Sequence, residues 1–238
     1  MKKSRLIAAL AAILALGVAS VAIAATFTGT NGPDTITGTP LADSISGLNG
    51  DDTIRGHGGN DTINGGGDED TIRGDGQCPT GSPTTGPYAC VPGNPGRDTI
   101  VGGTGGDTIN GDAGNDRLSG QNGSDRLRGD AGNDRISGGS GNDVASGGTG
   151  NDFISGGSGD DSLRGQAGND TITGGSGRDT VEGGAGRDTI RVNDSSRDRV
   201  NCGSGRDTVT ADSLDRVARN CERVRRVRAP RQQTGSAG

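Results

Sequence analysis

Twenty-seven Asp stand against only three Glu in this sequence of 238 residues, and most of the Asp recur at one interval. Cut into blocks of nine from Gly29, the chain shows Asp34, Asp43, Asp52, Asp61 and Asp70 at the sixth position. After one interruption the sixth positions are Asp98, Asp107, Asp116, Asp125, Asp134, Asp143, Asp152, Asp161, Asp170, Asp179 and Asp188, and two looser blocks add Asp198 and Asp207. Eighteen of the 27 Asp therefore share one phase, where one in nine would do so by chance. A bias this strong toward the shorter carboxylate points to a geometric role. Carboxylates at a fixed repeat suit a hard divalent cation, and calcium accepts six to eight oxygens from carboxylates and carbonyls together.

The other positions of the block describe the element that must hold these carboxylates. Position eight is aliphatic: Ile36, Ile45, Ile54, Ile63, Ile72, Ile100, Ile109, Leu118, Leu127 and Ile136, then Ala145, then Ile154, Leu163, Ile172, Val181, Ile190, Val200 and Val209. Gly recurs at positions one and four. A Gly-rich stretch of six followed by three strand formers predicts a turn and a short strand. Side chains alternate across a strand, so an inward position eight leaves the polar positions seven and nine outside. Asn or Asp at position five, as at Asn60, Asn115, Asn133 and Asp160, suits a turn. Two strands enclosing one apolar layer need two blocks, so each coil takes 18 residues. Coils stacked at the strand spacing of about 4.8 Å set Asp above Asp. Without a cation between them that is a column of like charges.

Blocks such as GGSGNDVAS (138–146), GGTGNDFIS (147–155) and GGSGRDTVE (174–182) resemble the calcium-binding RTX nonapeptide, GGxGxDxUx with U a large aliphatic residue. The resemblance covers residues 29–210. It implies an all-β chain folded as a right-handed parallel β-roll with two repeats per coil. It also implies multiple calcium ions, caged by the position-six Asp and the turn carbonyls. Carried over residue by residue, the metal-ligating set is the series of Asp just named except Asp198, whose block is one residue too long. The family's usual C-terminal export signal is not evident.

Composition agrees that packing alone does not build this fold. Leu, Ile, Val and Phe make up 38 of the 238 residues, there is no Trp, and 49 residues are Gly. Such poverty in apolar residues normally reads as disorder. The expectation is a chain disordered without calcium and folded with it. No enzyme is expected. The only His is His57, which reads as an exposed turn residue, so neither an HExxH site nor a Ser/His/Asp set can be built. Two rivals compete with a structural or adhesive role. One is an accessory roll of an RTX-like toxin or hydrolase. The other is an ice- or surface-binding face, for which only Thr149 with Asn151 shows the Thr and Asn pair at positions three and five.

The remaining segments organise the chain. Lys2, Lys3 and Arg5 precede an apolar run from Leu6 to about Val21 and then Ala22-Ile23-Ala24. This predicts a signal peptide at 1–24 and hence a secreted or cell-surface protein; an uncleaved membrane anchor is the alternative. The roll is expected over 25–191. An insertion at 77–95 carries Tyr88 and is pinned by a Cys78–Cys90 disulfide. A cap at 192–224 is closed by Cys202–Cys221, whose separation of 19 residues is close to one coil. A basic, polar tail follows at 225–238. The expected partners are calcium ions and an unknown extracellular ligand, with no nucleic acid, because the Arg-rich end lacks the interleaved aromatics that stack bases.

Overall fold

The computed structural model describes residues 24–74 and 96–228. The expected signal peptide (apart from Ala24), the insertion with Tyr88 and Cys78–Cys90, and the tail from residue 229 lie outside these residues. The described chain is entirely strand, turn and irregular backbone. Its strands, numbered β1 to β21 in chain order, form two parallel sheets. The odd strands pair in sequence in one sheet of eleven, and the even strands in the other sheet of ten. Every strand thus pairs with the one two places along, which is a parallel β-solenoid wound one coil per two strands.

The register follows the block arithmetic. Strands β11 (Arg135–Ser140) and β13 (Phe153–Ser158) pair Ile136 with Ile154. Strands β12 (Val144–Thr149) and β14 (Ser162–Ala167) pair Ala145 with Leu163. The position-eight side chains form a single buried layer between the sheets, from Ile36 to Val209, with Val192 and Ala211 joining near the C-terminal end. Positions seven and nine flank it on the outer faces, so burial alternates as expected.

The strands are longer than the expected three residues. Through the middle of the roll they run for six, from position seven of one block to position three of the next. Positions one to three are Gly-rich yet extended enough to pair between coils, as Gly139 does with Gly157 and Ser140 with Ser158. The turn shrinks to positions four to six. Its left-handed residue is at position four, for example Gly141 at φ 125°, and a second left-handed residue sits at position two, where Gln121, Asp130 and Gln166 also adopt it. Position five lies in this turn as expected and has a second task. Its Asn side chains bridge coils: the backbone N–H of Asn133 donates to Asn115 Oδ1, and that of Asn151 to Asn133 Oδ1, each at 2.7 Å.

The roll runs through the insertion without a slip. Strand β5 (Thr62–Gly67) pairs with β7 (Thr99–Thr104), matching Ile63 to Ile100, and β6 (Thr71–Arg73) pairs with β8 (Thr108–Asn110). The coil is continuous up to Gly74 and again from Gly96, whose bridge to Gly114 keeps the same register. His57, expected to be exposed, is buried at 4% exposure in a left-handed turn. At the C-terminal end Cys202 and Cys221 form a disulfide with Cα atoms 5.2 Å apart. The last strand, β21 (Arg223–Arg226), is exposed along its length.

Candidate metal centre

The position-six Asp stand at the end of the turn, directly before the strand begins, and the coil repeat stacks them into two ladders. In each ladder the backbone N–H of one Asp donates to Oδ1 of the Asp one coil on. One ladder runs through Asp34, Asp52, Asp70, Asp107, Asp125, Asp143, Asp161, Asp179, Asp198 and Asp215, with N···O distances of 2.8–3.1 Å. The other starts at the Ala25 N–H and runs through Asp43, Asp61, Asp98, Asp116, Asp134, Asp152, Asp170, Asp188 and Asp207 to Glu222. All but Asp34 and Glu222 are buried.

One oxygen of each carboxylate is thus engaged by backbone. The second is left over: Oδ2 of Asp52, Asp70, Asp107, Asp125, Asp134, Asp143, Asp152, Asp161, Asp170, Asp179, Asp188, Asp198 and Asp207 is buried with no hydrogen-bond partner. An orphaned buried carboxylate oxygen is costly, and natural proteins leave few of them. A long series of them in register is a design for a cation. Asp34 and Asp43 differ. Their Oδ2 atoms accept the backbone N–H of Thr30 and of Thr39, both at 2.6 Å, and also the hydroxyls of the same residues. Those Thr occupy position two of the first two blocks, so the protein itself satisfies the oxygen there.

The position-one Gly shows what the orphaned oxygens face. A Cβ added at Gly138 would lie closer than 3.0 Å both to Asp143 Oδ2 and to the carbonyl oxygen of Gly156 one coil on. Gly156 stands in the same relation to Asp161 and Gly174, and Gly165 to Asp170 and Gly183. Each such point gathers a carboxylate oxygen and a backbone carbonyl from neighbouring coils, and Gly keeps it clear of carbon. Hard oxygen donors of these two kinds fit calcium. Asp Oδ2 and the position-one carbonyl of the next coil are the groups that would hold it.

Electrostatics agree with the geometry. Burial pushes Asp70, Asp134, Asp161, Asp170 and Asp198 up to about 7, and Asp107 and Asp179 up to about 6. Backbone hydrogen bonds oppose the rise, and the charges of neighbouring carboxylates add to it. Asp52, Asp125, Asp143, Asp152 and Asp188 shift the same way, again first through burial. The charged form is disfavoured in the bare fold, and a divalent cation would reverse that.

The ladders extend further than the nonapeptide phase. Asp215 continues one of them, and its Oδ2 also accepts the Asp212 N–H at 2.7 Å. Glu222 ends the other, held below the usual carboxylate range by the backbone N–H groups it accepts. Phase counting misses both. The trio does not: Asp215-Arg216-Val217 and Glu222-Arg223-Val224 repeat Asp198-Arg199-Val200.

A parallel β-solenoid with a buried carboxylate at every turn defines a class of calcium-binding roll. The family model for the RTX calcium-binding nonapeptide repeat (4 copies) matches residues 28–62, 37–72, 92–127, 119–154 and 155–190, together more than half of the chain. The chain belongs to this family and is a calcium-binding β-roll protein that takes multiple calcium ions. No curated protein matches it.

Proposed function

We propose that this protein is exported, folds on binding calcium outside the cell, and acts there as a non-catalytic structural or adhesive roll. The observation that carries the reading is the double column of buried Asp whose Oδ2 atoms lack a partner. Between them runs a core only one aliphatic residue thick per strand. Such a fold has little to offset chain entropy when its carboxylates are bare, so metal binding and folding are one equilibrium. The basic and then apolar N-terminal sequence supports export, and so does a disulfide, which persists in oxidising compartments. We assign calcium to the buried Asp from Asp52 to Asp207. Asp34 and Asp43, already bonded by Thr30 and Thr39, close the N-terminal end of the ladders.

Circular dichroism with calcium and with chelator tests the folding claim. The expected result is a β spectrum in calcium and a largely disordered one in chelator, with the β signal restored by calcium and not by magnesium. An unchanged β spectrum in chelator refutes it.

A further inference from the structure

The ladders put the acid inside, and this reverses the charge that the surface presents. Within the described residues 19 of the 29 acidic side chains are buried, while all twenty Arg are exposed and there is no Lys. A chain of formal charge −6 thus folds into a particle with a cationic exterior. Arg alone, without Lys, favours planar, bidentate recognition of oxyanions.

The Arg gather in two grooves: a smaller one mid-roll is lined by Arg97, Arg117 and Arg135, and the fuller Arg set lies near the C-terminal end. There a groove of about 630 Å³ is lined by Arg178, Arg197, Arg199 and Arg216, with one carboxylate, Asp160, and Leu214 among its other lining residues. Arg178 and Arg197 each precede a ladder Asp in adjacent coils. Arg199 and Arg216 pair directly in the β-ladder, and the same row continues through Thr180. Among the described residues none of the four guanidinium groups is in an ion pair. Like charges one strand spacing apart, about 4.8 Å, repel until an anion lies between them.

From this groove we infer that the protein binds a linear uronate polysaccharide, its carboxylates seated on the Arg pairs and its hydroxyls on Thr180 and Ser162, which continue the Arg199 row. One sugar advances such a chain by about one strand spacing, so successive carboxylates meet successive coils. The inference rests on the adhesive reading above and names its ligand class. The groove has no aromatic side chain on which bases could stack, which favours a polysaccharide over a nucleic acid.

The test is titration calorimetry of the full secreted chain in calcium with a hexasaccharide of galacturonic acid, too short to gel with the metal. Neutral dextran, polyphosphate and single-stranded DNA are titrated in parallel. The quadruple variant Arg178→Ser, Arg197→Ser, Arg199→Ser, Arg216→Ser is expected to lose at least tenfold in affinity while keeping the β spectrum. A variant removing four Arg outside the grooves (the ion-paired Arg73, Arg128 and Arg164, with Arg187) is expected to stay within about twofold. The inference is overturned if the hexasaccharide does not bind, if both variants lose equally, or if polyphosphate or DNA binds more tightly. Repeating the titration in chelator separates the two claims. Binding retained by a chain still folded there leaves the groove standing and sinks calcium-coupled folding. A chain that unfolds in chelator, yet never binds the hexasaccharide in calcium, does the reverse.

Discussion

Replacing Asp161 by Asn removes one charge and almost no volume, and the structure predicts an effect that changes sign with calcium. The Asn carbonyl can still accept the Asp143 N–H, which Asp161 Oδ1 takes at 2.9 Å. Its amide then stands where the orphaned Oδ2 stood, facing the Gly174 carbonyl across the space beside Gly156. In calcium, a donor replaces a ligand and one site is lost. At calcium tenfold above its dissociation constant a site contributes about 1.4 kcal/mol. A domain of this size moves by about 2–4 °C per kcal/mol, so the calcium-loaded variant should melt about 3–6 °C below the parent. In chelator the balance reverses. A carboxylate that burial pushes up to about 7 is replaced by a neutral group, and a new hydrogen bond to Gly174 contributes about 1 kcal/mol. The residual β signal of the variant in chelator should therefore equal or exceed that of the parent. Thermal melts by circular dichroism in both conditions decide the matter. An unchanged melting temperature in calcium, or equal destabilisation in both conditions, would refute the assignment of Oδ2 to the metal.

Four further outcomes follow from the same geometry. Because burial holds Asp70, Asp134, Asp161, Asp170 and Asp198 at about 7 and Asp107 and Asp179 at about 6, against an ordinary 3.8, the metal-free fold binds more protons than the unfolded chain between those values. Its stability should be greatest below about pH 4 and fall as pH rises through about 7. Calcium competes with those protons, so calorimetry should show affinity falling by about tenfold or more from pH 8 to pH 6. Gly156→Ala would press a Cβ against Asp161 Oδ2 and the Gly174 carbonyl. It should cost calcium binding and over 2 kcal/mol, whereas Gly32→Ala, with nothing within 4 Å, should stay within about 0.5 kcal/mol in urea melts. Replacing Cys202 and Cys221 by Ser opens a loop of 19 residues and should destabilise the cap by about 3 kcal/mol, read as a lower urea midpoint in calcium.

Much of this was legible in the residues. The spacing of nine specified the coil, because Ile136 to Ile154 is two blocks and therefore one pairing step. Alternation at positions seven to nine specified which side chains enter the layer. Positions one to three were read as turn because Gly dominates them, yet they pair as strand. Backbone pairing between identical coils needs no side chain, so composition is a poor guide there. Position five was read as a turn former and lies in the turn, and its Asn is also a bridge between coils, a contact that exists only once coils stack. Asp215 and Glu222 escaped because the cap slips the nine-residue phase while the hydrogen bond to the next coil persists.

The sequence by itself determined the period, the aliphatic layer, the position of the carboxylates that keep the nine-residue phase and the pairing of Cys202 with Cys221. These depend on local spacing, which a solenoid turns directly into contact. Only the tertiary structure decided how the two oxygens of each Asp divide their work. Oδ1 goes to a backbone N–H one coil away, and Oδ2 is left bare beside a glycine and a carbonyl. It also decided that Thr30 and Thr39 satisfy the first two carboxylates, and that an acidic chain presents an arginine surface. Those outcomes depend on which atoms lie inside, and burial is a property of stacked coils that no single repeat possesses.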